Sequence, residues 1–403
     1  MRRKVYQSIA AVGMISAALT ATNAWAEGQG RFIITPHADV SVEYNSNFYR
    51  TENNEAAVTA LNISPGIQAM YKTAKTTVTI DGTLERHDYD SNDDPPSGTG
   101  DVSDYSYTGG KASLDATSQV TDRLTIGAKD QLRVTRDPEY VDAYSNEVGR
   151  EKYTTNAFTP NIYYDFGNKF GVGARYQNSL IDYSENDGED YSENRGAVDL
   201  FYNFNRSTAA YFEYQIWDGD YDGRSSDYLS NQITLNASKQ FNYFTLTAGA
   251  GYYSRNFDES KYSDLNGITW KVMLDGKDRS EDENAKPRSF ARLVLIHDIN
   301  NYGSGDSYYD ATRLELRGGY MLGPKLGVSG LAMYQYSDYQ MNPDNRSDDL
   351  YVLSAQIGYD LIDNLTLSVE GGYRDRESDA AGQSYDDVYA MLKLGYFYDF
   401  GHR

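Results

Sequence analysis

Strict alternation between apolar and polar residues is the feature that most limits how this chain can fold. From Ile34 to Tyr44 the even positions are apolar or small, and the odd positions between them are polar. Successive side chains of a β-strand point to opposite faces, so this segment predicts a strand with one apolar and one polar face. The pattern recurs to the end of the chain and gives about eighteen strands, an even number, as bacterial transmembrane β-barrels have.

The connections between these segments alternate in length. Long polar segments fall at residues 45–57, 90–104, 136–152, 182–194, 218–227, 254–266, 300–310, 337–348 and 375–384. Short turns fall at residues 72–75, 119–123, 166–169, 205–207, 240–242, 323–325 and 363–364. Outer-membrane barrels have short periplasmic turns and longer outer loops. The sequence therefore predicts an all-β fold, a single-domain transmembrane antiparallel β-barrel, rather than a soluble β-sandwich or β-helix.

One connection on the short side is long and highly charged, at residues 278–288. We interpret this turn either as part of a docking surface for a periplasmic partner or as a tolerated insertion.

The first residues have the organisation of a secretory signal. Basic Arg2 and Arg3 precede an apolar run at residues 9–19, and a small-residue cleavage site ends at Ala26. This run is shorter than the ~20 residues that a transmembrane helix needs. We expect residues 1–26 to be a signal peptide and residues 27–403 to be the barrel.

Composition excludes several classes of function. The chain has no cysteine and a formal net charge of −22, so thiolate chemistry is excluded and nucleic-acid binding is disfavoured. Its four histidines show no metal-ligand spacing, and no nucleophile elbow or phosphate loop appears. We expect no cofactor, metal or catalytic residue. The acidic loops near Asp93 and at residues 184–194 lack EF-hand spacing and are interpreted as solvated surface, with calcium binding as the alternative.

Inward positions on the predicted strands carry charges of both signs together with aromatic rings. Aromatic faces beside hydrogen-bonding groups suit a sugar ring, although such residues can also simply brace a wide lumen. The charged candidates for the pore lining are Asp39, Glu43, Asp81, Glu85, Lys111, Lys129, Arg133, Arg175, Glu213, Lys271, Arg313, Arg317, Glu370, Arg374 and Lys393. The aromatic candidates are Tyr163, Tyr211, Trp217, Tyr243, Tyr253 and Tyr389.

Short motifs suggest a family. Tyr44, Asn45 and Asn47 lie at the end of the first predicted strand, in HADVSVEYNSNFYR, and a Ser-Pro-Gly at residues 64–66 lies in the second. With the segment at residues 136–183, they resemble the β-barrel porins encoded with exopolysaccharide and capsule clusters. The resemblance implies a barrel of about eighteen strands. It also implies polysaccharide secretion together with a short periplasmic export protein, and it carries no catalytic residues.

The function expected from the sequence is therefore passage of an exopolysaccharide or capsular polysaccharide through an outer-membrane barrel. The expected partners are outer-membrane lipid, the polysaccharide and a periplasmic polysaccharide export protein. The alternative is a substrate-selective porin that takes up sugars or oligosaccharides. A barrel enzyme is a more distant alternative, because outer-membrane enzymes can assemble catalytic groups from separate strands that linear motifs miss.

Overall fold

Alternating residues build one continuous sheet in the computed structural model. It describes residues 30–53, 55–93, 101–137, 150–167, 169–184, 189–223, 225–278, 288–300, 308–339 and 346–398. The strands are β1 (Arg31–Asn45), β2 (Val58–Lys72), β3 (Thr76–Ser91), β4 (Tyr107–Gln119), β5 (Leu124–Thr135), β6 (Tyr153–Asp165), β7 (Phe170–Tyr183), β8 (Tyr191–Asn205), β9 (Thr208–Tyr221), β10 (Tyr228–Gln240), β11 (Phe244–Phe257), β12 (Leu265–Lys277), β13 (Ser289–Ile299), β14 (Asp310–Met321), β15 (Leu326–Asp338), β16 (Ser347–Ile362), β17 (Leu365–Ser378) and β18 (Tyr385–Phe397).

The sheet closes on itself because the first and last strands pair. On β1, Asp39 lies opposite Ser64 of β2 on one side and opposite Gly395 of β18 on the other. Every other strand pairs antiparallel with its two neighbours in sequence, so the eighteen-stranded sheet has no free edge. Closure satisfies the backbone N–H and C=O groups, as a bilayer requires. The predicted fold, a closed antiparallel barrel of eighteen strands, is confirmed.

The outer face of the barrel is apolar and bordered by two rows of aromatic side chains. Exposed aliphatic residues such as Val40, Leu200 and Leu353 form the band between them. Toward the short turns the exposed aromatics are Phe32, Phe170, Phe204, Tyr320, Tyr359 and Tyr396. Toward the long loops they are Tyr44, Tyr176, Tyr214, Tyr252, Tyr336, Tyr351 and Tyr373. Aromatic girdles of this kind lie at the two membrane–water interfaces.

The connections follow the predicted alternation of short and long. In the turn between β6 and β7, Gly167 has a φ of 84°, a left-handed conformation that glycine adopts without steric cost. In the loop between β3 and β4, a short 3-10 helix (Val102–Tyr105) begins where the Asp101 carboxylate accepts a hydrogen bond from the backbone N–H of Ser103. That bond lowers the pKa of Asp101. No helix in the described ranges is long and apolar enough to cross a membrane.

Several strands continue further toward the long loops than predicted. β9 extends to Tyr221 and β17 to Ser378, whereas the sequence pattern assigned residues from 218 and from 375 to loops. The outward residues at these ends, Asp218 and Asp375, are polar. The apolar pattern ends where the membrane ends, whereas the hydrogen-bond ladder continues into water.

In the outer half of the barrel, buried and mostly aromatic residues pack against the inner wall. Its largest cluster consists of Tyr191, Trp217, Tyr221, Tyr228, Tyr253, Leu265, Ile299 and Tyr308. A second cluster contains Phe48, Val58 and Val102. Tyr308 lies outside the strands, and burial raises its pKa.

Three predictions concern residues outside the described part of the chain. They are the signal peptide at residues 1–26, the interior of the charged turn at residues 279–287, and parts of the two acidic loops, at residues 94–100 and 185–188.

Candidate functional site

The register places the predicted lining residues on one face of the sheet, with one exception. Val40, Leu200 and Leu353 mark the exposed apolar face, and alternate residues on each strand face the lumen. The predicted residues with inward register are Asp39, Glu43, Asp81, Glu85, Lys111, Lys129, Arg133, Tyr163, Arg175, Tyr211, Glu213, Trp217, Tyr253, Lys271, Arg313, Arg317, Glu370, Arg374, Tyr389 and Lys393. Tyr243 is the exception, because it lies in the turn before β11 with 75% of its surface exposed.

An aromatic row crosses the lumen wall on strands β6 to β9. The ring of Phe201 on β8 lies 5.6 Å from that of Tyr163, nearly perpendicular to it, and 5.3 Å from that of Tyr211. The row has room to lie against the wall because β7 carries Gly171, where an added Cβ would be 2.4 Å from the Tyr163 hydroxyl. All three rings are only partly buried, so aromatic surface faces the lumen.

A charged triad lies next to this row. Arg175 on β7 donates from Nη1 to Asp199 Oδ2 at 2.8 Å and from Nη2 to Glu213 Oε2 at 2.5 Å. Asp199 and Glu213 are opposite one another on β8 and β9, so the guanidinium offsets the repulsion between two neighbouring carboxylates. Gln215 also donates to the Glu213 carboxylate at 2.5 Å.

The aromatic row and the triad form one surface, which we call the β6–β9 patch. Phe201 follows Asp199 by two residues on β8, and Tyr211 precedes Glu213 by two residues on β9. Residues two apart on a strand share a face and lie roughly 7 Å apart. The β6–β9 patch therefore offers apolar ring faces within one sugar-ring length of carboxylate, amide and guanidinium groups.

Other parts of the wall carry paired charges. Glu85 on β3 forms ion pairs with Lys111 and Arg133, each at 3.3 Å. Lys393 on β18 pairs with Asp39 on β1 at 3.0 Å. Between β17 and β18, Arg374 lies 3.7 Å from Asp387. The Tyr389 hydroxyl on β18 donates to the Glu370 carboxylate on β17 at 3.0 Å. The wall therefore has mixed charge rather than one sign.

Two predicted aromatic residues lie in the packed outer half of the barrel. Trp217 is 2% exposed beneath the guanidinium of Arg195, which lies 4.3 Å from its ring. Tyr253 is also buried and donates to Asp310 at 2.5 Å. Their rings belong to the aromatic cluster and present little surface to a solute.

Two members of the β6–β9 patch were not predicted. Asp199 and Phe201 have the same inward parity on β8 as Arg195, and outward Val198 and Leu200 fix that parity. The signal was present in the alternation.

Comparison with known proteins identifies the family of the chain. The family described as "Putative beta-barrel porin 2" matches residues 27–396. The chain belongs to this family. The barrel of this porin resembles the crystal structure of Pseudomonas aeruginosa OpdK with vanillate, at 13% identity and a TM-score of 0.50, covering 91% of this chain and 99% of that one. It also resembles Acinetobacter baumannii OccAB4, at 11% identity and a TM-score of 0.50, covering 92% and 98%. No curated protein matches the chain.

These findings establish an outer-membrane porin fold and correct one expectation. The predicted outer-membrane location is confirmed. The predicted role in polysaccharide export is wrong, because the family that matches residues 27–396 is one of β-barrel porins. Association with export clusters likewise gains no support. The family is one of transport channels, not of enzymes. Within the described ranges, no group of three His, Cys, Asp or Glu side chains is placed to hold a metal ion.

Proposed function

We propose that this porin is a substrate-selective channel that admits small sugars or oligosaccharides through the outer membrane. The observation that carries the proposal is the β6–β9 patch, where Tyr163, Phe201 and Tyr211 lie beside the Arg175 triad. A sugar presents an apolar C–H face and polar hydroxyls, and the patch offers a partner for each.

Barrel size supports a channel. Small barrels of about eight strands are filled by side chains, whereas barrels of about 16–18 strands leave an aqueous path. The paired charges along the wall support a neutral or weakly charged solute, since a strongly one-signed lining would select simple ions instead.

The proposal is tested by current block in planar bilayers that contain the purified full-length protein. Maltotriose added to one side should reduce the ion current in a saturable manner, because an occupied patch obstructs the lumen. Phe201→Ala should weaken this block by about 5–10-fold, since a stacked aromatic contributes roughly 1 kcal/mol beyond its buried area.

The matched control is Tyr389→Ala, which removes an inward tyrosine from the opposite wall. It should leave the maltotriose block within about twofold of wild type. Conductance without any block by maltotriose, or equal weakening by both substitutions, would exclude the β6–β9 patch as a selective sugar site.

A further inference from the structure

Two arginines lie side by side near the periplasmic end of the lumen. Arg292 on β13 and Arg317 on β14 are cross-strand partners with inward register. Their side chains are 49% and 54% exposed. Like charges directly opposite on neighbouring strands destabilise a sheet, so such a pair favours an anion between its members.

The carboxylates near this pair engage only part of each guanidinium. Among the described residues, Arg292 contacts Asp275 through Nε at 3.4 Å, and Arg317 contacts Glu315 through one Nη at 3.4 Å. Both contacts are longer than a strong charge-assisted hydrogen bond of about 2.7–2.9 Å. Each guanidinium therefore keeps N–H donors for a carboxylate, which it can bind in bidentate geometry.

A recess lies on the periplasmic side of the pair, on the same inner face of the wall. Phe290 precedes Arg292 by two residues, and its ring lies over Gly319, where an added Cβ would be 2.4 Å from a ring carbon. The recess has a volume of about 200 Å³, and its lining includes Phe290, Gly319, Lys325, Ser329, Gln356, Asp360 and Thr366. This is less than the roughly 300–1,000 Å³ of sites for drug-sized ligands, so it fits one ring rather than an oligosaccharide.

The polar side chains of the recess are the hydroxyls of Ser329 and Thr366, the amide of Gln356, the carboxylate of Asp360 and the ammonium of Lys325. Thr366 donates to Asp360 at 2.6 Å, and the Ser329 hydroxyl lies 3.4 Å from Gln356 Oε1. Such groups can exchange hydrogen bonds with the hydroxyls of a sugar, whose C–H face would lie on Phe290. A neutral sugar would leave the arginine pair unused.

From this arrangement we infer that the lumen holds a second subsite for a sugar acid. The carboxylate binds between Arg292 and Arg317, and the ring occupies the recess beside Phe290. The inference rests on the proposed sugar-channel function and narrows its substrate class to uronates and similar hydroxylated ring acids. The β6–β9 patch on the other wall recognises the ring, and this subsite adds selection for the charge.

The test compares glucuronate, glucose and benzoate as blockers of the full-length channel in planar bilayers. Glucuronate should block at a concentration at least tenfold lower than glucose, and benzoate should be weaker than glucuronate because it lacks hydroxyls. The double variant Arg292→Gln, Arg317→Gln should remove the advantage of glucuronate over glucose. Gly319→Ala should weaken the block by glucuronate, because its Cβ displaces Phe290.

The matched control is Lys111→Gln with Lys129→Gln, which removes two lumen charges on β4 and β5, across the barrel from the recess. It should keep the advantage of glucuronate. Equal block by glucuronate and glucose would overturn the sugar-acid subsite while leaving the sugar channel intact. If benzoate blocked the channel as effectively as glucuronate, the inference would also be overturned, because the recess would then not recognise hydroxyl groups. The sugar channel itself is judged separately, by the maltotriose block and its loss in Phe201→Ala.

Discussion

Arg175 links two carboxylates that would otherwise repel one another. Asp199 and Glu213 are largely buried and face one another across β8 and β9. We expect Arg175→Met to lower the free energy of unfolding by about 2 kcal/mol. This is less than the roughly 3–5 kcal/mol for breaking a fully buried pair, because a third of the Arg175 side chain is exposed. Urea titration of the barrel in detergent, followed by tryptophan fluorescence, measures the change.

A compensating variant distinguishes charge repulsion from lost packing. Combining Arg175→Met with Asp199→Asn and Glu213→Gln should restore most of the lost stability. Lys129→Met is the control, because Lys129 and Asp115 are both more than half exposed and such pairs contribute about 0–1 kcal/mol. Equal destabilisation by Arg175→Met and Lys129→Met would contradict this account of the triad.

Parity alone predicted much of the candidate site at the level of residues. It placed Tyr163, Arg175, Tyr211 and Glu213 on the inner face, and these residues fall together in the β6–β9 patch. It could not show that they meet, because the register between neighbouring strands is set by turns and pairing rather than by one strand's sequence. It misplaced Tyr243, because this residue has the odd numbering of the inward residues of β11 but lies one residue before that strand begins.

At the level of strands, the lipid-facing band of β8 is centred on Leu200, whose surface is 53% exposed. A charge at the bilayer midplane costs about 2–4 kcal/mol in a barrel, whereas near the interface it costs about 0–1 kcal/mol. Leu200→Arg should therefore destabilise the barrel by about 2–4 kcal/mol in lipid vesicles. The unfolding free energy in urea measures this cost.

Ser192→Arg is the matched control on the same strand and the same outward face. Its position is eight residues nearer the outer end, beyond the apolar band, so the substitution should cost less than about 1 kcal/mol. If both variants lost the same stability, the assigned position of the membrane along β8 would be wrong.

Strand number and strand position were predictable, whereas the outer strand ends were not. Inside the bilayer every second residue must be apolar, and this requirement leaves a clear mark on the sequence. Beyond the bilayer both faces of a strand meet water, so Asp218 and Asp375 can face outward without breaking the ladder. The pattern therefore marks the membrane span rather than the full length of each strand.

At the scale of the whole molecule, the loop lengths set the orientation in the membrane. Because the chain contains no cysteine, single cysteines report position without interference. Asp104→Cys, in the loop between β3 and β4, should react with an impermeant maleimide on intact cells. Asn242→Cys, in the turn between β10 and β11, should react only after the outer membrane is permeabilised. The reverse labelling pattern would show that the barrel has the opposite orientation in the membrane.

Closure of the sheet could be deduced from the sequence, but the direction and nature of transport could not. Short motifs such as Ser64-Pro65-Gly66 indicated a porin family correctly, yet they lie on strands of the scaffold and do not contact the β6–β9 patch. The export role implied by the resemblance was therefore not supported by any residue that a solute would contact.

Tyr308, just before β14, contacts β9 and β11, which lie five and three strands away around the barrel. Its hydroxyl donates to that of Tyr221 on β9 at 3.1 Å, and its ring lies 5.2 Å from Phe257 on β11. These contacts hold Tyr308 against the inner wall and place its ring in the aromatic cluster at the outer end of the barrel. Tyr308→Ala should therefore raise single-channel conductance in planar bilayers, because the largest aromatic cluster loses a buried ring. Tyr309→Ala is the control, since Tyr309 packs on Tyr339, near the outer end of the adjacent β15, at 5.0 Å and should change conductance less. Unaltered conductance in a correctly folded Tyr308→Ala barrel would show that this cluster does not restrict the channel.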